Sequence, residues 1–242
     1  MQKTHQMKNI KKKAYKGLSG ARRKQFCDEY RRVLPQIYSN LYNGYIKTLK
    51  EGEQISCKKG CFHCCYQHVG LFLAHGILIV DYLYSHDVVL NNFLNNYPQW
   101  KESAWDISLK LDAELNSAMQ ERNPAAILRH ANNPLSSSYF DIQVPCPFLL
   151  NSCCSIYEVR PLNCAGHYST SPCEWCSENS PKEPKIEEAL PSDSDMIKLF
   201  SLPYFTPNLL LHLSTMPIMV YELLVDGLPA FLSKFRLGSV FM

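Results

Sequence analysis

Residues 57 to 65 read Cys57-Lys58-Lys59-Gly60-Cys61-Phe62-His63-Cys64-Cys65, four thiols within nine residues. Such a run cannot be one regular element throughout, so the chain must turn inside it. Thiols separated by two or three residues can converge on one ion while the backbone winds around it, and zinc takes sulfur ligands at about 2.3 Å. Gly60 lets that turn adopt a positive φ. Cys64 and Cys65 are adjacent, so their side chains diverge. One of them ligates a second ion, bridges two ions, or is the spare; the sequence leaves these alternatives open.

A second group of thiols lies downstream. It comprises Cys146-Pro147-Phe148-Leu149, then Cys153-Cys154-Ser155-Ile156-Tyr157-Glu158-Val159-Arg160-Pro161, then Cys164. Cys146, Cys154 and Cys164 are spaced by eight and ten residues, too wide for one turn but suited to loops folding over the first group. The candidate metal ligands are therefore Cys57, Cys61, Cys64, Cys65, Cys146, Cys154 and Cys164. Arg160 and Tyr157 stand beside them. Several thiolates on one metal leave excess negative charge, which the Arg160 guanidinium would offset, while Tyr157 would pack over the site. Cys164, His167, Cys173 and Cys176 form a further N/S ligand set that would suit a separate zinc ion. Cys27, beside Phe26 on a helix face, reads as a small buried hydrophobe, and His75 in an apolar run reads as a satisfied core histidine.

The pattern C-x3-C-x2-C-C, followed far downstream by C-P-F-L, C-x-I-Y-x-x-R-P and a further cysteine, resembles the cysteine-cluster family of zinc- or iron-chelating proteins. The flagellin lysine N-methylases are larger relatives in that family. The matching residues are Cys57, Cys61, Cys64, Cys65, Cys146, Pro147, Cys154, Ile156, Tyr157, Arg160, Pro161 and Cys164. The resemblance covers residues 57–164. It departs at Ala165, where family members often carry an arginine. It implies a metal site more directly than a reaction, because most members have no assigned activity.

Around the thiols the chain reads as helix. Ser19 can cap a helix starting near Ala21, and Phe26, Tyr30, Val33, Leu34, Ile37 and Leu41 recur at three- and four-residue spacing. Pro35 is expected to kink or divide it, with the second part running to Leu49 and Gly52 ending it. Residues 71–84 read as a buried helix and residues 101–119 as an amphipathic one. Asn123-Pro124 breaks the latter, and a short helix follows to about His130. The run from Ser136 to Leu150 has strand and loop character, and residues 177–195 look like a linker. Thr206 with Pro207 starts a helix through Leu213, and Pro217 opens another ending at Gly227. The expected fold is mainly α, with five to seven helices. It is a single helical domain with irregular cysteine-rich loops closing over a metal centre. A basic flexible tail over residues 1–18 precedes one domain over 19–242, with a cysteine-cluster core at 57–176 and C-terminal helices at 204–242. No β-α-β alternation is present, which argues against a parallel-sheet nucleotide fold.

Composition narrows the function classes. The chain of 242 residues has 46% hydrophobic and 19% charged residues, as a folded protein would. Eleven cysteines is a high and odd count, unlike a short secreted disulfide scaffold. No apolar run follows the basic N-terminus as a secretory signal would require. The stretch from Val69 to Val80 has twelve residues, against about twenty for a membrane span. A cytoplasmic, reducing setting with thiols free for metal is expected. Residues 1–32 carry a net +9, within an overall +3, and the bland reading of that charge is a solvated terminus. Specific nucleic-acid binding is not expected.

The leading expectation is a protein that binds metal ions or an iron–sulfur cluster, with iron–sulfur preferred to zinc because seven matching thiols exceed the four that one zinc takes. The resemblance adds an alternative, an S-adenosylmethionine-dependent protein-lysine N-methyltransferase acting on a protein substrate or partner. A thiol redox protein, cycling Cys64–Cys65 or Cys173–Cys176, is the other.

Overall fold

A computed structural model describes residues 20–120, 134–200, 202 and 212–234. The apolar repeat begun at Phe26 forms α1, Gly20–Ile46, which buries Phe26, Cys27, Tyr30, Leu34, Ile37 and Leu41. Pro35 sits within this helix without interrupting it. It is exposed, so the Arg31 carbonyl it leaves without a donor can take water instead. The helix also ends at Ile46 rather than Leu49. The proposed cap Ser19 and the basic tail lie outside the described residues.

The buried helix expected over 71–84 is α2, Leu73–Ser85, preceded by a short strand β1, Gly70–Phe72. Its first eight residues are all buried. Helix α3, Asp87–Gln120, is much longer than the amphipathic stretch expected from residue 101. It starts at Asp87, whose carboxylate suits a helix N-terminus, and it buries Leu90, Phe93, Tyr97 and Trp100 ahead of the expected start. The break at Asn123-Pro124 and the short helix after it fall outside the described residues.

Helix α4, Pro134–Asp141, replaces the strand and loop character expected from Ser136 onward. Tyr139 is buried there, and its hydroxyl accepts from Trp100 Nε1 at 2.8 Å. That tertiary anchor outweighs the weak helix propensity of the serines. The later part of the same run is strand-like: β2, Leu149–Leu150, pairs with β3, Cys153–Cys154. A short helix α5, Leu162–Gly166, leads into β4, His167–Ser169, which pairs with β5, Ile186–Glu188, inside the stretch expected to be linker. Helix α6 spans Asp193–Phe200.

At the C-terminal side, β6, Leu213–Thr215, pairs antiparallel with β1, Gly70 opposite Thr215. Leu213 is therefore strand, not the end of a helix; most of the helix expected from Thr206 lies outside the described residues. Pro217 does open a helix, α7, Met216–Val225, and Gly227 follows its end; α8, Leu228–Lys234, completes the described fold. Helices α2 and α7 leave β1 and β6 directly and pack against one another at the centre of the core. Asp112 of α3 fastens that junction, accepting from the Thr215 N–H, the Thr215 hydroxyl and the Ser214 hydroxyl, each at 2.7 Å. Asp81 of α2 holds α1 through Arg23, at 3.2 Å, and Arg31.

The protein is mainly helical, with eight α-helices and no closed sheet among the described residues. No helix among them is long and apolar enough to cross a membrane.

A thiol-lined cavity as the candidate functional site

The loop from Cys57 to Cys65 turns as its glycine allows. Gly60 has φ +96°, and the Cys61 N–H closes the turn on the Lys58 carbonyl at 3.0 Å. One 3₁₀ turn, His63–Tyr66, then carries Cys64 and Cys65. The Cys65 carbonyl accepts from the Cys146 N–H at 2.7 Å, and this single bond docks the second cysteine segment on the first. After Cys146 the chain makes the β2–β3 hairpin, whose connecting residues Asn151 and Ser152 have φ of 49° and 59°. Such left-handed pairs form the tightest hairpins. Alternation along β3 then separates the two cysteines. Cys154 lines the cavity and Cys153 is exposed. Pro161 precedes α5, which brings Cys164 to the same wall.

All seven candidate ligands, Cys57, Cys61, Cys64, Cys65, Cys146, Cys154 and Cys164, line one cavity of about 390 Å³. Arg160, Tyr157 and His167 stand on its wall as well. The Arg160 guanidinium stacks on the Tyr157 ring, 3.8 Å from its centre, with the Tyr38 ring 5.2 Å away. The Tyr38 hydroxyl donates to the Arg160 carbonyl. Arg160 Nε is buried without a hydrogen-bond partner among the described residues. Tyr157 packs over the arginine. Nothing in the local pattern marks Tyr38, which lies on α1, 122 positions from Arg160.

Electrostatics join the thiols into neighbourhoods. Cys64 is held as the readier thiolate of its pair, because Cys65 donates to it and His167 and Arg160 lie close. Cys65 is pushed up by the same hydrogen bond and by burial. Burial raises Cys146 to about 12, with Cys154 and Cys64 adding to the rise. It raises Cys154 and Cys164 too, against the pull of Arg160. Cys57 is raised to about 11 by burial, although the Ser169 N–H donates to its sulfur at 3.2 Å.

Cys173 and Cys176 occupy a 3₁₀ turn, Cys173–Cys176, that packs on the turn bearing Cys64 and Cys65. The Cys173 sulfur lies 2.8 Å from that of Cys61. His167 stays on the cavity wall, with its Nδ1 3.7 Å from Glu188 Oε1. The set Cys164, His167, Cys173 and Cys176 is therefore split, and the later pair meets Cys57 and Cys61 instead. Cys27 is fully buried, as read. His75 is buried and bonded on both ring nitrogens. His68 bonds Thr215 Oγ1 at 2.8 Å, away from the thiols.

Among the described residues, no group of three or more His, Cys, Asp or Glu side chains converges closely enough to hold a metal ion as it stands. The donor chemistry nonetheless fits a soft metal. The wall is rich in sulfur, carries a fixed cation, and includes no carboxylate. No family model, curated protein or solved structure matches the chain.

Proposed function

We propose that the chain binds a metal centre, an iron–sulfur cluster in preference to zinc, in the cavity between α1, the Cys57–Cys65 loop and the β2–β3 hairpin. The observation that carries this reading is the meeting of seven thiols, drawn from segments far apart in sequence, on one cavity wall. Burying that many thiols side by side has no packing rationale, since apolar residues would fill the space better. Cys64, Cys65, Cys146, Cys154 and Cys164 would hold the centre, with Arg160 offsetting their charge. A reducing, cytoplasmic setting accords with free thiols. The bound centre would supply electron transfer, sensing or structural closure, and the chain's own residues would set its charge and its access to solvent. Iron, zinc and acid-labile sulfide measured on anaerobically purified protein test this. Iron with sulfide is expected; protein without any stoichiometric metal would overturn it.

One observation favours a second reading. Arg160 Nε is buried and unpartnered among the described residues, and the cavity has the size of a small-molecule site. A carboxylate-bearing cosubstrate such as S-adenosylmethionine would satisfy that atom, as the methyltransferase alternative requires. Calorimetric titration of the metal-loaded protein with S-adenosylmethionine tests it, and absence of heat at high concentration would remove it.

A further inference from the structure

Cys173 and Cys176 do not line the cavity, yet they are built against two thiols that do. The backbone explains how. The Ser56 N–H donates to the Ser169 carbonyl at 2.8 Å, and the Ser56 hydroxyl bonds the carbonyls of Ser169 and Ser171. Cys57 is thereby laid along the end of β4, where the Ser169 N–H meets its sulfur. The Ser169 hydroxyl donates to the Ser171 carbonyl at 3.3 Å, holding the chain on its way to the Cys173–Cys176 turn. One serine thus meets Cys57, while Cys61 and Cys173 touch directly across the two segments.

We propose that Cys57, Cys61, Cys173 and Cys176 form a separate four-thiolate zinc site, beside the centre held by Cys64, Cys65, Cys146, Cys154 and Cys164. The spacings are C-x3-C and C-x2-C, both within the range that lets a loop present two ligands to one zinc. Tetrahedral zinc with 2.3 Å bonds sets its sulfurs about 3.8 Å apart. The Cys61 and Cys173 sulfurs stand side by side at 2.8 Å, so they would part by about 1 Å to take one zinc between them. Lys58 and Lys59, between the first two ligands, place positive charge beside a site that would carry two negative charges. The Ser169 N–H donates to the Cys57 sulfur, as outer partners of metal ligands do. On binding, each thiol loses its proton to the solvent and no electrons move. The site would clip the segment around Cys173 to the Cys57 loop and close one side of the cavity.

This inference rests on the reading that the thiols bind metal, but it is separable from the central centre. The full chain, purified anaerobically, is assayed for zinc, iron and sulfide beside Cys173→Ser/Cys176→Ser and Cys154→Ser/Cys164→Ser. The first variant is expected to lose one zinc per chain and keep its iron; the second should lose iron and sulfide and keep zinc. Unchanged zinc in the first variant, or no zinc in the parent protein, overturns the proposal. Unchanged iron in the second, with zinc lost in the first, would leave this site standing and remove the central one. If either variant fails to fold, cobalt(II) is titrated into parent protein stripped of zinc. Ligand-field bands of a tetrahedral thiolate site support the proposal, and their absence overturns it.

Discussion

The Tyr30 hydroxyl lies 3.1 Å from His75 Nδ1, and His75 Nε2 lies 2.9 Å from the Val159 carbonyl. A carbonyl only accepts, so Nε2 carries the proton and Nδ1 accepts from tyrosine. The ring ties α1 and α2 to the turn just before Arg160. Burial pushes it down from 6.5 to about 4, against the two carbonyls that favour its charged form. Between those values the unfolded chain binds the proton and the folded one does not. Stability is thus fullest above pH 6.5 and is lost as pH falls toward 4, by about 3 kcal/mol from this ring. His212, also down to about 4 by burial, acts in the same direction. Urea midpoints across that range should fall less steeply for His75→Gln than for the parent. Parallel slopes would show that His75 is not the group responsible.

Asp112 receives three hydrogen bonds from Ser214 and Thr215, and burial raises its carboxyl despite them. Asp112→Ala would strand the Thr215 N–H and the Ser214 hydroxyl at the point where β6 passes into α7, while the Thr215 hydroxyl keeps His68. Leaving such buried donors unmatched costs about 1–3 kcal/mol apiece, less what water recovers. The denaturation midpoint should drop accordingly, with metal content changed less than stability, because no thiol bonds to this network. A midpoint within error of the parent would refute the role.

Much of this was readable in the chain, and the unreadable parts have definite causes. The α1 repeat from Phe26 to Leu41 and the start of α7 at Pro217 follow from local periodicity and proline chemistry. Gly60 signalled its own positive φ. The meeting of Cys61 with Cys173 was not legible, because a two-serine clasp, Ser56 to Ser169, sets it across 113 positions without any periodic pattern. The helix at Ser136 was equally hidden. It exists because Tyr139 reaches Trp100, a contact that local propensity does not register. The thiols could be counted from sequence, but their sorting around Arg160 depends on Tyr38 and Tyr157 gripping that side chain.

Arg160 pulls on Cys64, Cys154 and Cys164 while its plane rests on Tyr157. Arg160→Leu should weaken metal binding at the proposed central site by about 10–100-fold, the usual effect of losing an outer partner. Arg160→Lys restores charge without the flat stack, so it should recover only part of that loss. Competition with a chelator of graded strength measures both. Equal affinity in all three proteins would remove the guanidinium from the site.

The hairpin makes neighbours unequal. Cys153 points to solvent and Cys154 to the cavity, so Cys153→Ser should keep its full metal content and stability. Cys154→Ser should lose metal sharply. Cys27→Ser should keep its metal, and burying a hydroxyl in place of that sulfur should cost about 1–3 kcal/mol. Metal loss from Cys153→Ser equal to that from Cys154→Ser would mean that the hairpin does not sort them.

Gly166 and Gly44 should respond oppositely to the same added methyl group. A Cβ on Gly166 would stand 2.2 Å from the Ala189 carbonyl oxygen, which is backbone and cannot swing aside. The Ala189 N–H also donates to the Gly166 carbonyl at 2.8 Å, so relief of the clash must loosen the β4–β5 pairing beyond it. Forcing an extra carbon into such a contact costs about 1–3 kcal/mol. The strain falls between Cys164 and Ser169, and so touches both thiol groups; Gly166→Ala should lose metal as well as stability. Gly44 lies exposed in α1 with open space around its would-be Cβ. Gly44→Ala removes helix-disfavouring backbone freedom and should gain up to about 1 kcal/mol with metal unchanged. For a chain of this size each kcal/mol moves the melting temperature by about 2–4 °C, so the two variants should separate clearly in thermal melts. A Gly166→Ala protein that melts with the parent and holds its full metal would show that the close approach at Ala189 does not constrain the site.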